Sequence, residues 1–324
     1  MEDLSLTAFW LALIATAAAG IFYWTHLLGV RLVMRRLTTD AGEGPLVTTV
    51  ERSDAGGGWT EPLGRLGTLS AWAASALLLV SLIARWRAVG HAPWSNMWEF
   101  TVAFAAAIAL FYVVFERVYS PEQAAPSTPS DHRPSARALG ALVQPVVLAL
   151  LAVTAAFFPA DIRPLVPALQ NADLLAIHVA TMILAYGALS VSFAAAALYL
   201  VQAAPRPGAR GALRNRFPRL PKARVLDEIA YRSVMVGFPL LALGVALGAY
   251  WGNSAWGRYW GWDPKETSAL VTWLIYGVYL HMRGLRGWSG TRSAVVLVVG
   301  FAAVMFTYFA VNLWVSGLHS YAGV

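Results

Sequence analysis

The sequence predicts an all-α, polytopic integral membrane protein with about eight transmembrane helices. Of its 324 residues, 58% are hydrophobic and only 13% are charged, whereas soluble domains carry about 25% charged residues. The apolar residues also occur in blocks long enough to cross the hydrocarbon core, which takes about 20 helical residues. These two observations exclude a soluble globular domain.

The eight predicted spans follow one another along the chain, separated by polar or turn-forming segments. The N-terminus has no basic region before its apolar stretch, so it is predicted as a membrane helix rather than a cleaved signal peptide. Residues 1–65 form a first helix and a polar inner loop, and residues 66–324 form a transmembrane core. The approximate limits of the spans are 6–33, 66–83, 97–115, 139–158, 174–201, 234–250, 268–282 and 293–315.

Basic segments predict the orientation. An eight-span count puts Arg35, Arg36, the arginine-rich segment 205–224 and the linker 283–292 on one side, which the positive-inside rule makes cytoplasmic. Both termini, the GHAPWSN loop and the tryptophan-rich loop at 251–266 are then expected outside. Arg85 and Arg87 do not fit this pattern. The net charge of +7 is thus attributed to membrane topology, and no nucleic-acid partner is expected.

The segment WGNSAWGRYWGWDPKE, residues 251–266, combines tryptophan and glycine at the predicted outer surface. Indole rings stack on large flat ligands such as a porphyrin, and glycines permit tight backbone turns. Aromatic residues are also common at membrane interfaces without any ligand. The density of this cluster favours a shaped ligand surface, formed by Trp251, Trp256, Trp260 and Trp262.

Two histidines are predicted to lie at similar depth on that same side. His178 follows Asp173, the expected outer start of the fifth span, by five residues, which is about 8 Å of helix. His319 lies just beyond the outer end of the eighth span. A single interfacial histidine more often only hydrogen-bonds, but a matched pair beside an aromatic cluster suits axial ligation of haem iron.

The remaining histidines have other predicted settings. His281 lies near the inner end of the seventh span, where an ionisable residue is a functional candidate or a snorkelling side chain. His26 has a comparable inner depth, and it either pairs with His281 or is another interfacial residue. His132 lies in a polar loop and is predicted to be an ordinary surface residue.

His91 belongs to GHAPWSNMWEF, which leads into the third span. Ser95 or Asn96 is expected to cap that helix, with Glu99 in its first turn. This capping turn accounts for the motif without a ligand, although His91 stays a possible site residue. The chain contains no cysteine, so any thiol chemistry must come from a partner.

Several motifs occur in order over residues 66–322. They are GHAPWSNMWEF, IHVATMILAYGALSVSFAAAALYL, the tryptophan-rich segment with TSALVTWLIYGVYLHMR, and NLWVSGLHSYA. Together they resemble the CcsA/ResC-type subunit of system II cytochrome c biogenesis, called CcsB in actinobacteria. The tryptophan-rich segment resembles the WWD motif of haem-handling proteins.

This resemblance implies a protein of the cell membrane that carries haem b from the cytoplasmic side to the outside. There it works with a ResB/Ccs1-type membrane subunit as a cytochrome c synthase, also called a haem lyase. The substrate is apocytochrome c, whose CXXCH thiols form thioethers with haem, and a thioredoxin-like protein keeps those thiols reduced.

The resemblance also assigns roles by position. His178 and His319 match the outer ligands of the haem iron, and the four tryptophans with Asp263 match the outer haem-binding loop. His281 matches the inner haem ligand, whose opposing ligand comes from the partner subunit, which argues against pairing with His26. Arg258 is a candidate partner for a haem propionate, because a guanidinium binds carboxylates well.

Two other functions use the same residues. A b-type di-haem electron carrier also needs paired histidines, but it leaves the tryptophan-rich segment without a role. A haem transporter without synthase activity needs both haem sites and no more. Catalysis in the synthase would consist of positioning, since the sequence shows no dedicated general acid or base.

Overall fold

A computed structural model of the chain describes residues 1–28, 57–119, 136–162, 165, 169, 172–203, 220–285 and 288–319. The regular structure of these residues is entirely helical. Arg35, Arg36, His132 and residues 205–219 lie outside the described part of the chain, so the predictions about them stay predictions.

Each predicted span overlaps one long helix. Seven helical stretches of the described residues are long and apolar enough to cross a membrane, and Pro264–Arg283 is shorter and less apolar. The predicted all-α polytopic membrane fold is therefore confirmed. The helices are α1 (Glu2–Leu28), α2 (Gly57–Val89), α3 (Met97–Tyr119), α4 (Arg137–Phe157), α5 (Ala172–Ala203), α6 (Ala223–Trp256), α7 (Pro264–Arg283), α8 (Thr291–Met305), a π-helical turn (Phe306–Ala310) and α9 (Val311–Leu313).

α3 is the central helix of the bundle. It packs against α2, α4 and α5, and 78% of its apolar stretch is buried. Its alanine-rich sequence explains this position, because small side chains let neighbouring helices approach closely in a membrane. α1 packs on α2 and α4, whereas α6 lies along α5, and α7 packs on α8.

Glycines set the distance between α5 and α6. A Cβ atom at Gly244 would lie 2.5 Å from the sulfur of Met182, and one at Gly248 would lie 2.6 Å from Cε1 of His178. The four-residue interval puts both glycines on one face of α6, as in the small-xxx-small pattern of membrane helices. This close approach brings the His178 ring against the backbone of α6.

Arg85, which did not fit the predicted charge pattern, is a buried structural residue. It is 0% exposed, and its Nε donates to Oε1 of Glu99 at 2.8 Å. A second nitrogen donates to the carbonyl of Ala160 at 2.6 Å, and the guanidinium lies over the Trp98 ring. Arg85 therefore joins the end of α2 to α3 and to the segment after α4, rather than contributing a loop charge.

A second buried network joins α1 to α4 at the opposite end of the bundle. Tyr23 and Tyr112 both donate to Oε2 of Glu116 at 2.5 Å, and Thr68 donates to Oε1. Arg137 Nε lies 3.7 Å from Oε1 of the same carboxylate. One carboxylate therefore connects side chains from four helices.

Candidate functional site

A cavity lies where α5, α6, α7 and α9 meet, at the tryptophan-rich end of the bundle. It encloses about 970 Å³ of empty space, including the part open to solvent. Most of its wall is apolar, as is usual for sites that bind small organic ligands. Its polar lining includes His178, His319, Trp251, Trp260 and Lys265.

His178 projects from α5 and is held by α6. Its Nδ1 lies 2.8 Å from the carbonyl oxygen of Gly244. Because a carbonyl only accepts hydrogen bonds, Nδ1 carries the proton, and the lone pair of the neutral ring is on Nε2. The ring lies parallel to Trp251, with 6.3 Å between ring centroids.

His319 is held by Asp263, the last residue of the tryptophan-rich WD sequence. Its Nδ1 lies 2.7 Å from Oδ2 of Asp263, and the backbone N–H of Leu318 donates to Oδ1 at 2.6 Å. The carboxylate therefore positions both the ring and the chain that carries it. Position 317 has room only for glycine, because an added Cβ would lie 2.5 Å from Oδ1 of Asp263.

Electrostatics keep this pair in one protonation state. Burial lowers the pKa of the His319 imidazole below its ordinary value, although the hydrogen bond to Asp263 acts in the opposite direction. Burial raises the pKa of Asp263, but hydrogen bonds from His319 and Leu318 outweigh this and hold it below its ordinary value. At neutral pH we expect a neutral imidazole that donates to a carboxylate.

The tryptophan-rich segment is only partly a loop, which differs from the predicted loop at 251–266. α6 continues to Trp256 and ends at Gly257, whose φ of 73° is the left-handed conformation usual at helix ends. Asp263 then caps α7, and Glu266 accepts from the backbone N–H groups of Gly261 and Asp263 at 2.8 and 3.1 Å. Only residues 257–263 are irregular.

The four indoles do not form one continuous shelf. Trp251 is 1% exposed, and its ring centroid lies 6.3 Å from that of His178 and 6.2 Å from that of His319. The ring of Trp256 packs edge-on against His319 at 4.9 Å. Trp260 lines the cavity, and Trp262 packs edge-to-face on Trp260 and is 70% exposed. The extended α6 is the reason, because it directs Trp251 into the bundle.

Two further predicted residues lie outside the cavity lining. Arg258 is exposed, and its guanidinium covers Gly261. His91 is half-buried in its loop, with Nδ1 2.9 Å from the carbonyl of Ala92. The predicted cap of α3 is confirmed, since Asn96 Oδ1 accepts from the N–H of Glu99 at 2.9 Å.

His281 and His26 belong to different parts of the bundle. His281 lies in the last turn of α7 and is exposed, about 24 Å along the helix from Lys265. His26 is buried in α1 against Gly64 of α2. The main neighbours of α1 are α2 and α4, whereas those of α7 are α6 and α8.

Sequence reasoning overlooked three contributors to the cavity. Gly248 makes room for His178, Asn312 accepts a hydrogen bond from Lys265, and Tyr186 lines the inner part. The four-residue glycine interval in LALGVALGAYWG was the available signal for the first. No local pattern marks the other two, since they meet the site only through helix packing.

These residues suit an axially ligated haem. No group of three or more His, Asp or Glu within the described residues could hold a bare metal ion. Haem iron, by contrast, receives four ligands from the porphyrin and needs only two more from protein. His178 and His319 can provide these two ligands, because Nδ1 of each ring is already hydrogen-bonded and Nε2 remains. The apolar and aromatic wall of the cavity suits the porphyrin.

The chain was also compared with known proteins. The profile of a family described as Cytochrome C assembly protein matches residues 66–319. The chain is 37% identical over 271 residues to the cytochrome c biogenesis protein CcsA of Parasynechococcus marenigrum, covering 76% of this chain and 83% of the relative. It is 36% identical over 248 residues to the Chlamydomonas reinhardtii CcsA, covering 76% of this chain but only 65% of that longer relative. A Synechococcus elongatus CcsA is 33% identical over 298 residues, covering 79% and 87%.

Proposed function

Because this chain belongs to the cytochrome c assembly protein family, we propose that it is the haem-carrying and haem-presenting subunit of a cytochrome c synthase. A role in cytochrome c biogenesis follows from the family, and the apolar helices make the chain a multi-pass membrane protein. The observation that carries the finer proposal is the pair His178 and His319, which line one cavity and both lie near the ring of Trp251.

In this proposal haem b is the substrate, delivered to the cavity and held by two axial imidazoles. The thiols of an apocytochrome CXXCH segment add across its two vinyl groups, and the histidine of that segment takes one axial position. The chain contributes positioning rather than proton transfer. Gly244 and Asp263 hold the Nδ1 atoms, so that each ring presents Nε2 to the iron.

The indoles have separate parts in this scheme. Trp251 and Trp260 face the bound ring, and Trp256 supports His319 from behind. Trp262 is exposed, with a φ of 57° that is uncommon outside glycine, and it is available to meet the incoming apocytochrome. The absence of cysteine from the chain is consistent with this proposal, in which the apocytochrome supplies the thiols and a thioredoxin-like protein keeps them reduced.

We assign the inner haem ligand to His281, with the second ligand supplied by a ResB-type subunit. This assignment is supported by the exposure of His281, which shares the outward face of α7 with Leu274 and Val278. His26 is buried on the other side of the bundle and is not part of this site in our proposal. Haem would enter at the cytoplasmic side of the cell membrane and be attached outside.

The test is reconstitution in cells that lack other maturation systems. The chain, its ResB-type partner and an apocytochrome are co-expressed, and covalent haem is detected on a denaturing gel. We expect His178→Gly and His319→Gly to abolish the covalent product, while the control His91→Gly retains it. Covalent product from the double variant would overturn the ligand assignment. Haem binding without covalent product in any variant, including wild type, would indicate transport alone.

A further inference from the structure

Lys265 is a cation in the cavity wall, and it forms no ion pair with a carboxylate of the described part of the chain. It lies in the first turn of α7, and its Nζ donates to Oδ1 of Asn312. Among the described residues, no carboxylate oxygen lies within 4.0 Å of this nitrogen. The neighbouring acids are already engaged, Asp263 with His319 and Glu266 with backbone N–H groups.

The same cavity contains two buried donors for which the described residues provide no acceptor. Trp251 and Tyr186 line it and are 1% and 4% exposed, and neither Nε1 nor the phenolic oxygen has a hydrogen-bond partner among the described residues. The indole nitrogen can only donate. Buried donors are normally satisfied, so this cavity is suited to a ligand that brings acceptors.

The position of Lys265 strengthens this electrostatic preference. The first turn of a 20-residue helix carries the positive end of its dipole, which also favours an anion. Arg258, the cation that the sequence suggested for a propionate, is exposed and absent from the cavity lining. Of these two cations, only Lys265 can meet a carboxylate inside the cavity.

We propose that Lys265, held in place by Asn312, binds a carboxylate of the ligand, which is a propionate if the ligand is haem. This inference rests on the proposed function and adds an orienting contact to it. Two axial imidazoles fix the iron but leave the porphyrin able to rotate about the axis that joins them. A charged contact at the ring edge selects one rotation, and thereby determines where the two vinyl groups lie.

The experiment compares haem with its dimethyl ester, in which both carboxylates are blocked. The purified complex of the chain and its partner is titrated with each compound in the reduced state, and the visible spectrum of the bis-histidine species reports binding. We expect wild type to bind haem at least about 10-fold more tightly than the ester, as a charge-assisted hydrogen bond allows. Lys265→Met should bind both equally, while the control Arg258→Met keeps the wild-type preference.

A preference for haem that survives in Lys265→Met would overturn the inference, and its loss in Arg258→Met alone would transfer the role to Arg258. Lys265→Gln serves the same purpose if the methionine variant is not monodisperse, and Lys265→Arg should restore the preference. Failure of wild type to bind either compound would reject the proposed function itself. These two failures are therefore distinguishable.

Discussion

At the scale of single residues, the two candidate ligands differ in how their rings are held. His319 donates to a carboxylate, whereas His178 donates to a peptide carbonyl. A carboxylate partner makes an imidazole more basic and so a stronger ligand, especially of ferric iron. The Asp263–His319 pair should therefore anchor one face of the haem, with His178 the weaker ligand.

Asp263→Asn tests this difference. The amide can still accept from His319, but it lacks the charge, so we expect haem affinity to fall by about 10- to 100-fold and the midpoint potential to rise. Binding titration and redox potentiometry measure the two effects. Asp173→Asn, at an exposed carboxylate on α5, is the control and should change neither. An unchanged potential in Asp263→Asn would show that the carboxylate is only structural.

Gly248→Ala tests the space that α6 leaves for His178. The new methyl group would lie 2.6 Å from Cε1 of the ring, so His178 must move and its bond to Gly244 weaken. Overpacking of this kind costs about 1–3 kcal/mol. We expect the bis-histidine spectrum to be lost while helix content by circular dichroism stays the same. Gly277→Ala is the matched control, because its methyl would meet Phe238 at an ordinary 3.6 Å.

At the scale of helices, buried polar pairs join elements that apolar contact alone would leave free to slide. Arg85 and Glu99 are both 0% exposed and link α2 to α3. Glu99 also accepts from the backbone and hydroxyl of Ser95, so the same carboxylate shapes the GHAPWSN loop. Helix packing thus accounts for the turn at His91, and a role of His91 in a haem site stays a prediction.

Glu99→Gln should destabilise the bundle strongly, because it leaves the Arg85 charge buried without a counter-ion. Breaking such a pair costs about 3–5 kcal/mol. The measurement is the fraction of detergent-solubilised protein that remains monodisperse after heating. Arg232→Gln, which removes an exposed ion pair with Glu228, should have little effect. Equal melting of both variants would contradict this account of Arg85.

At the scale of the whole molecule, the proposed function requires the cavity to open outside the cell. The predicted orientation puts the tryptophan-rich end outside and the α7–α8 connection inside. The chain contains no cysteine, so single introduced cysteines can be labelled without background.

Ser254→Cys and Arg292→Cys report the two sides, since both positions are exposed at opposite ends of the bundle. A membrane-impermeant maleimide should label Ser254→Cys in intact cells and Arg292→Cys only after lysis. The reverse pattern would put the cavity on the cytoplasmic side, where attachment to an exported cytochrome is impossible.

Much of the fold followed from the sequence because long apolar blocks can only be satisfied as helices in a membrane. The end of α6 was predicted six residues too early. Trp251, Gly252 and Trp256 resemble loop residues locally, but packing against α5 and His319 keeps them helical. The indoles are separated for the same reason, and their role in holding haem stays a prediction.

By itself the sequence determined the helical fold class, the order of the long apolar segments and the residue types available for haem. These properties depend on the local composition of each segment, which determines whether that segment is stable as a helix in a bilayer. Only the tertiary structure decided that Asp263 holds His319, that Gly248 admits His178, and that Lys265 rather than Arg258 faces the cavity. Such contacts join residues distant in the chain, and they arise from helix packing that no single segment encodes.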